Sequence, residues 1–244
     1  MGLPFISGRM GRGGTLASAT GGGGDGFGNQ FSVSLDASDD FISIPASADY
    51  DFGTSAFSYS MWFNISDPDG YASFIYRALN HRIKFQGTDK RLNFAIPGGE
   101  LQIVNAASSL LNAWHHLVIA RDTSDNTIKT YIDASQTTSL AVGVAVDFSS
   151  SGNDLLIGNH VNTYYLGGLI DEFSIFDSTL SASQVSDIYN SGEPTDIEGL
   201  DPVGWWRMGD GTEAGSGTTV YDMSSNSNNA TLTNGPTYST TVPS

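Results

Sequence analysis

Phe57-Ser-Tyr-Ser-Met-Trp-Phe-Asn-Ile65 alternates strictly: Phe57, Tyr59, Met61 and Phe63 share one face, and Ser58, Ser60, Trp62 and Asn64 share the other. Successive side chains of a strand point to opposite sides, so this spacing predicts a β-strand with one face committed to a core. The same kind of signal extends in both directions. Strands are expected at 31–36 and 40–45, at 72–76, 82–86, 92–96 and 101–104, and at 114–121. The cluster Asp122-Thr-Ser-Asp-Asn126 reads as a turn leading into a hairpin strand at 127–133. Further strands are expected at 154–158, 166–176 and 203–208, with a turn-rich hairpin over 220–233. One helix is predicted, at 181–190. Ser181 stands three residues before Gln184, the capping-box spacing, Val185, Ile188 and Tyr189 follow at helical intervals, and Gly192 ends it. The expected fold class is therefore all-β, with one short helix.

Composition agrees. The 244 residues suit one large sandwich better than two domains. Only 15% of them are charged and 29 are glycine, a balance common where many strands are joined by many turns. The net charge of −16, from 10 basic and 26 acidic residues, repels phosphate backbones and argues against nucleic acid as a partner. It is compatible with divalent cations and neutral sugars. The absence of cysteine excludes disulfides and thiolate metal sites. No stretch reaches the ~20 apolar residues of a membrane helix, so no membrane partner is expected. Residues 1–12 hold no apolar run of signal-peptide length.

Residues 1–30 differ from the rest. They carry Gly11, Gly13, Gly14 and the run Gly21–Gly24, with Arg9 and Arg12 against Asp25. Such an arm cannot bury enough apolar surface to fold alone. Its expected use is docking on a neighbouring subunit through Phe5, Ile6, Arg9 and Arg12. Residues 31–244 form the expected globular part, with 193–201 as a linker and 202–244 as C-terminal strands that complete it.

Four segments carry a family resemblance: Val33–Pro45, Phe57–Phe63, Trp114–Arg121 with Lys129–Asp133, and Gly168-Leu-Ile-Asp-Glu-Phe-Ser-Ile-Phe-Asp177 running into Leu180-Ser-Ala-Ser-Gln-Val-Ser-Asp-Ile-Tyr189. Together they resemble the laminin-G-like jelly rolls of the concanavalin A-like lectin/glucanase superfamily. The resemblance implies a two-sheet antiparallel jelly-roll sandwich. Gly204–Asp210 and Asp222–Ala230 resemble that family's opening strand and its Asp-x-Ser-Gly-Asn turn, placed last as in a circular permutation. A similar order is found in structural proteins of tailed phages. The expected role is a non-enzymatic virion decoration or appendage protein, assembled in a host cytoplasm, anchored by residues 1–30 and part of an oligomer. The alternative is a calcium-dependent, glycan-binding lectin or adhesin, extracellular or at a cell surface.

Alternation over 169–175 places Asp171 inward with Leu169, Phe173 and Ile175, and a buried carboxylate needs a cation or several donors. The family frequently binds a structural calcium, which takes ~6–8 oxygens. Asp36, Asp39, Asp40 and Asp222 are the candidates to complete a set around Asp171, the other reading being that Asp171 accepts backbone or indole N–H groups. Aromatic faces suit sugar rings. Trp62, the loop with His160, Asn162, Tyr164 and Tyr165, and the segment 76–82 are the candidate carbohydrate contacts, while Trp114 is expected in the core. His115 and His116 fall on opposite faces of one strand and cannot share a metal. No Glu-x-Asp-x-x-Glu strand, Gly-x-Ser-x-Gly elbow or phosphate loop is present. No catalytic residue is therefore expected.

Overall fold

A computed structural model of the chain describes residues 27–66, 68, 70–77, 81–105, 107–143, 146–149, 152–160 and 163–244. In chain order the strands begin with β1 (Ser32–Asp36), β2 (Phe41–Ile44), β3 (Phe57–Ile65), β4 (Tyr71–Tyr76), β5 (Arg82–Gln86) and β6 (Arg91–Ile96). They continue with β7 (Gly99–Val104), β8 (His115–Asp122), β9 (Thr127–Ile132), β10 (Ser135–Ala141), β11 (Leu155–Ile157) and β12 (Gly167–Phe176). After the helix α1 (Ala182–Tyr189) come β13 (Gly204–Trp206), β14 (Thr219–Val220), β15 (Ala230–Thr233) and β16 (Thr237–Ser239). The first sheet runs β10-β9-β8-β3-β12-β1-β16, with β13 also on β12, and the second runs β14-β15-β2-β11-β4-β5-β6-β7. All pairings between these strands are antiparallel. This is the two-sheet jelly-roll sandwich with one short helix. Among the described residues no helix is long and apolar enough to cross a membrane.

The core lies between the sheets. Phe57, Tyr59, Met61 and Phe63 of β3 enter it as their spacing requires, meeting Phe74, Ile83, Phe85 and Phe94 from the second sheet. The other face of β3 is covered too. Helix α1 lies over it, started by the Ser181–Gln184 capping box and closed at Asn190 in the left-handed region. Val185 and Ile188 join Val118, Tyr131, Phe176, Leu180, Ile197 and Trp205 in a second apolar cluster. Trp62 stacks on Tyr189 at 5.6 Å and lies 4.9 Å from the His116 ring.

The C-terminal strands complete both sheets: β13 and β16 extend the first, and β14–β15 join β2 in the second. Of residues 1–30, the described ones lie on the sandwich. Phe27 stacks on Trp205, and the Gln30 and Phe31 amides donate to Asp210. Phe5, Ile6, Arg9 and Arg12 lie outside the described residues.

The expected inward placement of Asp171 is corrected. Asp171 stands opposite Trp62 and Ser174 opposite Ser60, so two residues, Glu172 and Phe173, face Met61 alone. This β-bulge, with Glu172 at φ 44°, shifts the alternation by one. Ile170, Phe173 and Ile175 fill the core, while Leu169 and Asp171 belong to the outer face. Trp114 is only half-buried rather than a core residue.

Gly168 makes the close approach of β12 to β3 feasible. Its φ is +139°, and a Cβ there would lie 2.3 Å from the Asn64 carbonyl oxygen. The Gly168→Ala variant is expected to lose more than about 2 kcal/mol, from backbone strain and overpacking together. Denaturant unfolding checks this. A loss within experimental error would show that the strand pair can shift to admit a methyl group.

Candidate functional site

Sheet two turns Ala72, Phe74, Ile83 and Phe85 into the core. Alternation then sends Tyr71 and Ser73 of β4, and Arg82 and Lys84 of β5, to its outer face, and a register shift between Ser73 and Ile75 turns Ile75 into the core and Tyr76 outward. The register pairs Ser73 with Lys84 and Tyr76 with Arg82. The segment after β11 crosses this face, held where the Gly158 amide donates to Phe74, Ser73 to Tyr164 and Leu166 to Gly158. It brings His160 and Tyr164 over β4. The result is a hollow of about 200 Å³ lined by Tyr71, Ser73, Arg82, Lys84, His160 and Tyr164. A neighbouring hollow of about 470 Å³ shares Tyr71 and Tyr164 and adds Ser66, Pro68, Thr163 and Tyr165 among its walls.

Four rings run in contact along this groove. Tyr76 meets His160 edge-on at 4.5 Å, His160 stacks on Tyr164 at 5.4 Å and 7°, and Tyr164 meets Tyr71 at 5.1 Å. Tyr71 and Tyr164 are each 38% exposed, and the Lys84 ammonium lies 5.1 Å over the Tyr71 ring. Glu100 of β7 binds Lys84 at 2.6 Å and Arg82 at 2.9 Å. Burial opposes its ionisation, but these two cations hold Glu100 below the usual carboxylate range. Burial, with Arg82 and Lys84 nearby, pushes the His160 pKa down.

Of the candidate carbohydrate contacts, His160, Tyr164 and Tyr165 border this groove and Asn162 lies outside the described residues. Trp62 does not belong to it and is corrected: it is 2% exposed beneath α1. Trp205 and Trp206 are buried as well. Arg82, at the end of the candidate segment 76–82, lines the smaller hollow as well, whereas Tyr71 and Lys84 escaped the sequence reading as contacts. Two cations alternating on one strand of an acidic chain were the available signal.

The expected calcium set around Asp171 does not assemble. Asp36, Asp39 and Asp40 come together, with ligand oxygens within 4.8 Å of one another, and they are the residues that would hold such an ion. Burial raises the Asp40 pKa, and the charges of Asp36 and Asp39 add to it, a repulsion that a cation would relieve. Asp222 is used elsewhere, accepting from the amides of Trp205, Ser224 and Asn228.

Asp171 lies fully buried under the N-terminal segment, accepting from Asn29 Nδ2 at 3.0 Å and from the Glu172 amide at 2.8 Å. The indole donor goes to its neighbour: Trp205 Nε1 donates to Glu172 at 2.7 Å, and Arg207 Nε donates to the other oxygen at 3.0 Å. Burial raises both carboxylates. The Glu172 charge raises Asp171 further, and Glu172 reaches about 7 although Arg207 opposes the shift.

A sandwich of this topology with an aromatic groove on one sheet defines a lectin-like fold. Residues 36–186, more than half of the chain, match the Laminin_G_3 family of the concanavalin A-like lectin/glucanases superfamily, and the chain belongs to that family. No match was found among the curated proteins. Among solved structures, a Bacteroides ovatus protein provisionally assigned to carbohydrate binding superposes with a TM-score of 0.71 at 17% identity, over 88% of this chain. The chain spans 61% of that protein's length. Domain 4 of the arabinanase AbnA from Geobacillus stearothermophilus, solved with arabinotriose, superposes with a TM-score of 0.50 at 20% identity, over 64% of this chain and 76% of its own. The binding domain of Paraclostridial Mosquitocidal Protein 1 gives 0.51 at 13% identity, over 66% of this chain and 51% of its own. Identities this low speak for the fold alone.

The carboxylates at the bulge provide a pH test. A carboxyl whose folded pKa is raised keeps a proton that the unfolded chain releases, so its contribution to stability falls as pH rises from the unfolded to the folded value. For Glu172 that window runs from 4.5 to about 7. His81 and His116, buried and pushed down to about 3 by desolvation, act in the opposite sense below their unfolded pKa. A comparison of two chains cancels them. The Asp171→Asn variant is expected to gain stability relative to the natural chain as pH is raised from about 4, the unfolded value, towards neutrality. Denaturant melts of both across that range read the difference. A constant difference would show that Asp171 does not titrate there.

Proposed function

We propose that this chain is a carbohydrate-binding, lectin-like module that holds a glycan in the groove of sheet two without cleaving it. The observation that carries this reading is the contact run Tyr76–His160–Tyr164–Tyr71 beside two adjoining hollows. Half-exposed tyrosines offer flat apolar faces to the apolar face of a sugar ring and keep their hydroxyls in water. Ser73, Arg82 and Lys84 supply polar groups for the sugar hydroxyls, the mixture expected of a small-ligand site. Retaining glycosidases need two carboxylates ~5–5.5 Å apart. The described residues lining both hollows include none, and nearby Glu100 is bound to Lys84 and Arg82.

The names of the Bacteroides protein and of the arabinanase domain, both tied to carbohydrate, support the same reading. Display on a virion through residues 1–30 and display at a cell surface are two ways of presenting this one site.

A glycan array followed by titration calorimetry is the test. Tyr164→Ala and Tyr71→Ala are each expected to weaken the binding of a glycan hit by about tenfold or more, as central aromatic contacts do. Because both rings are exposed, the melting transition should move little. Trp62→Ala behaves otherwise, costing about 3–5 kcal/mol of stability through the cavity it leaves. Unchanged affinity in Tyr164→Ala would remove the groove from the function.

A further inference from the structure

The charges around the smaller hollow carry the reading further. In a chain with 10 basic residues and a net charge of −16, Arg82 and Lys84 stand side by side at one hollow. Composition alone does not produce a cationic wall there. Glu100 binds both through a single oxygen, Oε1, so among the described residues two positive charges meet one negative charge. Burial depresses the His160 pKa, and the Arg82 and Lys84 charges add to that shift.

Unmet hydrogen bonds mark the same place. Arg82 Nε, Ser73 Oγ and His160 Nδ1 are all shielded from water and meet no partner among the described residues. An orphaned buried polar atom is costly and calls for an explanation. Three of them belong to the lining of one hollow, and two can only or readily donate: the Arg82 N–H and the Ser73 hydroxyl. What is missing is an acceptor with several lone pairs. The larger hollow differs, since the described residues on its walls carry no charged side chain. Tyr71 and Tyr164 stand between the two.

We propose that the groove recognises an acidic oligosaccharide, with a carboxylate- or sulfate-bearing sugar in the smaller hollow against Arg82, Lys84 and Ser73 and a neutral sugar in the larger one. This rests on the carbohydrate reading above. The acid group supplies the acceptor that Arg82 Nε and Ser73 Oγ lack, and the tyrosines carry the ring faces. Recognition is short-ranged, because the field of Arg82 and Lys84 is screened beyond the Debye length of ~8 Å at physiological salt, and a long polyanion lying against the molecule would meet the negative charge of the rest of the chain.

The test uses short oligosaccharides in pairs that differ only in charge. One pair is tri-galacturonic acid and its methyl ester, and the other is a carrageenan oligosaccharide before and after desulfation. Laminaritriose and arabinotriose complete a neutral set. Calorimetry is expected to show the charged member of one pair bound at least about tenfold more tightly than its neutral partner, the pair that responds telling carboxylate from sulfate. Lys84→Gln and Arg82→Gln should each shrink that ratio towards one, weakening the charged partner more than the neutral one. Lys84→Gln serves alone if Arg82→Gln melts early. Equal or tighter binding of both neutral partners, or of the neutral set alone, overturns this inference and leaves the carbohydrate reading standing. Failure of every sugar to bind removes both.

Discussion

The pairing of β3 with β12 is the constraint on which the rest of the structure depends. These strands form the middle of sheet one, and β3 is buried on both faces along nearly all its length. Its inner face supplies the aromatic core. On the outer face the pairs Ser58–Phe176 and Ser60–Ser174 keep β3's own side chains small, which leaves room for α1 and the segment after it. Ser58 Oγ donates to the Ser178 carbonyl and accepts from the Leu180 amide, tying the approach to the helix onto the strand. Ser60 pairs with the neutral His116, and Trp62 lies under Tyr189. The middle of sheet one therefore spends both faces on packing, and the groove is found on sheet two.

The bulge in β12 serves the closure of the sandwich. It gathers Glu172 with Trp205 and Arg207 on the outer face and leaves Asp171 beside Asn29. Arg207 lies 3.9 Å over the Phe27 ring and donates to the Gly28 carbonyl as well as to Glu172. One guanidinium thus joins the N-terminal segment, the central strand and the C-terminal strands. A buried pair of this kind adds little net stability compared with apolar packing, yet losing one partner costs about 3–5 kcal/mol. Its effect is to specify which segments meet. Residues 27–29 and the end of β13 are secured at one corner, so a strand that stands late in the sequence can still pair inside the sheet.

Much of this was legible in the residues. The alternation of 57–65 fixed the core face of β3, the Ser181–Gln184 spacing fixed the helix start, and most strands fell within a residue or two of their expected positions. Strand β10 was not legible, because Ser135–Ala141 is largely exposed and buries no apolar stripe to create a period. The misplacement of Asp171 has a different cause. A bulge inserts one residue, and no periodicity marks where the count slips. Trp62 was ambiguous because its cover is a helix more than a hundred residues away in sequence. In the groove, the loop with His160 and Tyr164 stood out by composition, but its neighbours Tyr71 and Lys84 depend on the order β11-β4-β5, which alternation within single strands does not encode.

The division of labour among the aromatic residues follows from their polar groups. Indole offers one donor, and a buried tryptophan is cheap only when that donor is met: Trp205 finds Glu172 and Trp206 finds the Asn228 carbonyl. Trp206 also stacks on Phe173 at 5.6 Å and fills the core. Tyrosine keeps its hydroxyl at the far edge of a flat ring, so it can lie half in water without an orphaned group. A surface built of Tyr71 and Tyr164 therefore stays open in the absence of a ligand, whereas exposed tryptophans on a Ser- and Gly-rich sandwich would offer larger apolar patches for self-association. With acidic charge over the rest of the molecule keeping copies apart, the few cations placed beside those tyrosines act only at contact distance. Attraction confined to contact distance discriminates by the fit of a single sugar unit, which is the task of a groove this small.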